Sequence, residues 1–182
     1  MDSKRKTALL GLIFLVFLAI AYVENILFFN LAHVRNFFGN QLLAIFMLFV
    51  HNTLAISLIL LGMTFYVNLV VLNFFRREKY ADVLLQHPQI FAVIFTIIVL
   101  LLSILRVGAL IYGEIDIAYV PQILLISTPI GIIEGYGIYL TISKTLSRTM
   151  STKDLIFIYA IFLIAAIIEV WFINLLAPAA GS

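Results

Sequence analysis

Long apolar runs of about twenty residues, parted by short polar stretches, set the pattern of this chain. A helix needs about 20 apolar residues to cross the hydrocarbon core of a bilayer. By that measure residues 7–31, 53–75, 90–112, 120–143 and 155–176 are spans. The predicted fold is all-α, a polytopic membrane bundle of five transmembrane helices within one integral membrane domain, residues 1–182. Residues 37–50 add a shorter apolar stretch. Joined to the second span it makes a helix of about 39 residues, too long to cross straight at 1.5 Å per residue. Taken as a sixth span it reverses the sidedness of the charges that follow. The expectation is therefore a short re-entrant or interfacial helix on the outer side. Asn40 and Gln41 sit at its cap, and Asn52 caps the span that follows.

Composition sharpens the class. The 182 residues are 64% hydrophobic and only 11% charged, against about 25% charged in an ordinary soluble domain. With no cysteine, disulfides, thiolate metal sites and a cysteine nucleophile are excluded. The basic start, Lys4, Arg5 and Lys6, precedes an apolar run longer than the roughly 7–15 residues of a secretory signal core. It reads as an uncleaved first span.

Charge placement supplies the orientation. Lys4, Arg5, Lys6, Arg76, Arg77, Lys79, Lys144, Arg148 and Lys153 fall in connecting segments that five spans bring to one side. The positive-inside rule makes that side the cytoplasm, with the amino terminus inside and the carboxyl terminus outside. Residues 113–119 form an acidic outer loop flanked by Tyr112, and Tyr119 closes it. The bilayer of the cell membrane is thus the first partner. The basic loops obey topology and meet anionic lipid, and nucleic acid is not an expected partner.

Four ionisable residues break the apolar runs: Glu24, Arg106, Glu134 and Glu169. An embedded charge costs from roughly 2.5 to above 10 kcal/mol, so it faces a partner or a wet cavity. Counting about 1.5 Å per residue from the cytoplasmic ends, Glu24, Arg106 and Glu169 lie roughly 22–25 Å deep. Glu134 lies about 15 Å deep, nearer the midplane. One reading is a structural clasp in which Arg106 holds one or two carboxylates. The other is a proton or cation site, because three acids outnumber one base and desolvation favours their neutral form.

The fourth span carries a second signal. Gly131 and Gly135 form a G-x-x-x-G pair, and Ser127, Gly131, Glu134, Gly137 and Thr141 share one small, polar helix face. Pro129 removes one backbone hydrogen bond. The face is either a tight helix-packing surface or a broken helix lining a site. His33, His51 and His87 are too dispersed for one metal centre, with His33 and His51 expected outside; neither metal nor cofactor is expected. No hydrolase or nucleotide-binding motif is present.

Phe38, Gly39, Asn40 and Gln41, then Gly131, Ile132, Ile133 and Glu134, then Ile168, Glu169 and Val170 together resemble the stage II sporulation protein M family of prokaryotic membrane proteins. The resemblance covers about the carboxyl-terminal four-fifths of the chain. It implies five helices with an amphipathic stretch before an asparagine-led helix, and it marks Glu134 and Glu169 as the characteristic buried acids. It also implies a scaffolding role, which in sporulating bacteria serves peptidoglycan-remodelling enzymes during engulfment. The chain departs from the family pattern at Ile130, where a histidine is usual, and at Gln41, where a second asparagine is usual. The function expected from the sequence is a non-enzymatic membrane scaffold that packs with itself or other membrane proteins through the Gly131/Gly135 face. The rival is a small proton- or cation-coupled transporter or channel using the buried carboxylates.

Overall fold

The computed structural model describes residues 3–32, 40–72, 74, 83–112 and 120–176, with side chains except at 29–32, 104–112, 120–127, 173 and 175–176. Six helices follow in order: α1 (Ser3–Ala32), α2 (Gln41–Val71), α3 (Val83–Gln86), α4 (Pro88–Tyr112), α5 (Val120–Leu146) and α6 (Thr152–Leu176). No strand occurs among the described residues. Among the described residues, three segments are long and apolar enough to cross a membrane: Ser3–Phe28, Gln41–Val71 and Thr152–Phe172. The described part of α4, Pro88–Ser103, is a shorter apolar helix.

The second helix departs from expectation. There is no break near Val50, and α2 runs unbroken for 31 residues. Asn40 caps it, with extended backbone and an Oδ1 that accepts from Leu43 N at 3.2 Å. Gln41 is its first residue, and Asn52 lies twelve positions inside it rather than at a cap. The physical reason is that neither glycine nor proline interrupts residues 41–61. The polar side chains at 51 and 52 find partners on neighbouring helices, described below, so the backbone has no cause to end there.

Helices α1 and α2 lie antiparallel with reciprocal packing. Gly11 faces Phe65, Gly62 faces Phe14, and the two rings stack at 6.4 Å between centroids. Small residues allow this close approach where no water-driven force holds helices together. Helix α5 is enclosed more fully. Gly135 faces Leu100 and Thr96 of α4, whereas Gly137 faces Phe162 and Ile161 of α6. Helix α5 remains continuous through Pro129.

The buried apolar residues form two clusters. One gathers Ile56 and Val67 of α2, Ala92 of α4, Ile138, Ile142 and Leu146 of α5, and Ile158 and Phe162 of α6. The other gathers Phe28 of α1, Ala44 and Leu48 of α2, and Ala166 and Val170 of α6. Along α2, only the turns between Leu48 and Ile56 separate them. That interval holds the polar pair.

The α5–α6 turn is closed by local hydrogen bonds. Arg148 has φ 58°, its N–H donates to Thr145 O, and Thr149 N–H donates to Lys144 O. This is the Schellman stop, with arginine where glycine is usual. Ser151 then caps α6 reciprocally. Its Oγ accepts from Asp154 N, and Asp154 Oδ2 accepts from both Ser151 N and Oγ. Lys144 Nζ donates to Asp154 Oδ1 at 2.6 Å, tying the two helix ends together.

Candidate functional site

Neighbouring residues on a helix point about 100° apart. His51 and Asn52 therefore face different partners, and both are buried, at 8% and 7% exposure. Nδ1 of His51 lies 2.9 Å from Glu24 Oε2 of α1. Nδ2 of Asn52 donates to Glu134 Oε1 of α5 at 2.7 Å. One short polar segment of α2 thus engages an acid on each side, between the two apolar clusters. A third polar link lies further along α2, where Ser57 Oγ lies 2.9 Å from the phenolic oxygen of Tyr159 on α6.

The two acid contacts differ in chemistry. The amide of Asn52 is a fixed donor, so Glu134 accepts whether or not it carries a proton. The Glu24–His51 contact needs one proton between its two atoms. Either the imidazole donates to a carboxylate or a carboxylic acid donates to the imidazole. Phe28 stacks on the His51 ring with centroids 4.8 Å apart and fixes its plane. The pair borders a groove of about 310 Å³ between α1 and α2, lined also by Leu18, Ala21, Tyr22, Asn25, Ala55 and Leu58.

Of the four embedded ionisable residues, Glu24 and Glu134 meet the same segment of α2. Glu169 is half-buried on α6 beside Val170 of the second cluster. Arg106 belongs to α4, but its side chain lies outside the described residues, as does that of Ser127 on α5. The expected small face of α5 is divided between neighbours inside the chain. Gly131 and Gly135 turn toward Leu100 of α4, and Gly137 toward Phe162 of α6. Thr141 is buried and donates to Gly137 O at 2.8 Å. The Gly131/Gly135 face expected to receive another copy is therefore occupied by α4.

Sequence reasoning put His51 at the end of a short outer helix. It lies inside the continuous α2, against Glu24. One signal was available. Positions 24 and 51 are equidistant from residues 37–38, next to the Gly39–Asn40 turn signal. An antiparallel hairpin folded there pairs them. Among the described residues, no three His, Cys, Asp or Glu side chains gather as metal ligands.

These features define an all-α bundle of membrane-type helices with a polar layer at its centre. No protein family, curated protein or solved structure matches the chain.

Proposed function

We propose that the chain is a non-enzymatic component of the cell membrane that packs with further copies of itself or with other membrane proteins. In this reading α1, α2, α4, α5 and α6 each cross the bilayer, the amino terminus is cytoplasmic and the carboxyl terminus lies outside. The first apolar cluster, with Val67, Ala92, Leu146 and Ile158, lies toward the helix ends that carry the basic segments, which supports that sidedness. The observation that carries the reading is the way Glu24 and Glu134 are engaged by His51 and Asn52. Paired this way, buried polar groups fix helix positions. The resemblance of the Gly131–Glu134 and Ile168–Val170 stretches to the stage II sporulation protein M family points the same way, toward a scaffold. The test is the mass of the full chain extracted in native-membrane nanodiscs. Two or more copies, or a stoichiometric membrane partner, are expected. A lone monomer overturns the reading.

A second reading, proton or cation coupling, has one observation in its favour: two titratable groups, Glu24 and His51, share a hydrogen bond at the border of a groove. It requires flux in liposomes that Glu24→Gln abolishes. Proton, sodium and potassium flux equal to that of empty vesicles removes it.

A further inference from the structure

The groove between α1 and α2 contains a polar group that the bundle does not satisfy. Glu24 and His51 bond each other, but among the described residues the side chains of Asn25 and Tyr22 have no hydrogen-bond partner. Asn25 is half-buried, and Tyr22 is 68% exposed. Both lie within the apolar segment Ser3–Phe28, where only Thr7 and Phe28 are buried. Acyl chains offer an amide neither donor nor acceptor, so leaving it unpaired there is costly.

We propose that this groove is the contact between two copies of the chain, with Asn25 of one meeting Asn25 of the other across a twofold axis along the membrane normal. The inference rests on the assembly reading above and names its interface. Three features select a second copy as the occupant. An amide carries two donors and an acceptor oxygen, so it is its own complement. Copies inserted with the same orientation place a given residue at the same depth, and a residue near the axis meets itself. The groove is lined by Ala21 and by the exposed Ala55, small enough for close helix approach. Leu18 of α1 stands beside it as an apolar knob.

The absence of cysteine makes the test direct. Single cysteines are introduced in the full chain at Leu18 and Tyr22, on the groove side of α1. Val16 and Val23, about 140–160° around the helix from Leu18 and about 100–120° from Tyr22, serve as the face turned away from the groove. Oxidation in native membranes is expected to give disulfide-linked dimer at 18 and 22 at least tenfold faster than at 16 and 23. In the Leu18→Cys chain, adding Asn25→Leu is expected to lower dimer formation roughly 3- to 30-fold, the range of an interhelical polar contact in a membrane. Asn25→Gln, which keeps the amide, is expected to restore most of it. Equal rates at all four positions, or no effect of Asn25→Leu, overturn the proposal and leave the groove to lipid. Faster linking at 16 and 23 overturns it too, but leaves the assembly reading standing. No dimer at any position, together with a monomeric mass in nanodiscs, removes both.

Discussion

Helices α1 and α5 each bring one glutamate to the same segment of α2, yet they are held differently. Helix α5 lies against α2, α4 and α6, and its glycines receive side chains from two of them. Helix α1 leans chiefly on α2, and its Phe28 joins the cluster that includes Ala166 and Val170 of α6. Both acids are half-buried, but Glu134 lies in the seam between α2 and α5 and Glu24 borders the groove between α1 and α2. The comparison teaches that a buried carboxylate is defined by its neighbours as much as by its depth. Glu134 meets a fixed amide donor, whereas Glu24 meets a group that itself binds protons.

The largest expected effect tests how tightly α5 is enclosed. A Cβ on Gly137 falls 2.7 Å from Phe162 Cε2 and 3.4 Å from Ile161 Cγ2. Phe162 is 3% exposed and has nowhere to swing. Gly137→Leu should destabilise the bundle by about 3 kcal/mol, read as a shift in detergent-unfolding midpoint. Gly131→Ala supplies the contrast. Its Cβ meets only Leu100, at an ordinary 3.8 Å, and the midpoint should stay near that of the native chain.

Next comes the polar seam. Asn52→Leu removes the donor to Glu134 Oε1 and should cost about 2 kcal/mol. Glu134→Gln keeps an acceptor oxygen at that position and should cost less than about 1 kcal/mol. A loss for Glu134→Gln as large as for Asn52→Leu contradicts the assigned roles.

The α1 side should yield more easily. A Cβ on Gly11 falls 2.9 Å from Phe65 Cε2, a contact as short as several on α5. Phe65 is only half-buried, however, and can give way. Gly11→Ala should cost about 1 kcal/mol or less, measured in the same unfolding assay. A loss matching that of Gly137→Leu erases the distinction between the two helices. The smallest effect belongs to Asp154→Asn at the α5–α6 turn. Its ion pair with Lys144 is partly exposed, so the change should shift the midpoint slightly at low salt and not measurably at high salt.

Much of the helical layout was legible in the sequence, because helices in lipid must be long and apolar. Residues 7–31, 90–112, 120–143 and 155–176 fall largely within α1, α4, α5 and α6. What misled was treating His51 and Asn52 as polar and therefore terminal. A polar residue inside an apolar run signals either an end or a partner, and only the neighbouring helix decides which. The partner of each is far off in the chain, Glu24 for one and Glu134 for the other. Leu100 of α4 would stand 2.9 Å from a Cβ at Gly135 but 3.8 Å from one at Gly131, and the G-x-x-x-G spacing does not say whether an approaching helix belongs to the same chain. Ser151-x-x-Asp154 is a capping pattern visible in the sequence. The left-handed Arg148 that precedes it has no such signal, since glycine is the usual residue there.

The most direct test is a pair of double-mutant cycles in one bilayer-mimetic unfolding assay, Asn52 with Glu134 and His51 with Glu24, each residue changed to leucine. Two direct bonds radiating from α2 predict coupling of about 0.6 to 1.7 kcal/mol in both cycles. Single losses that add to within about 0.3 kcal/mol in either cycle contradict the polar layer.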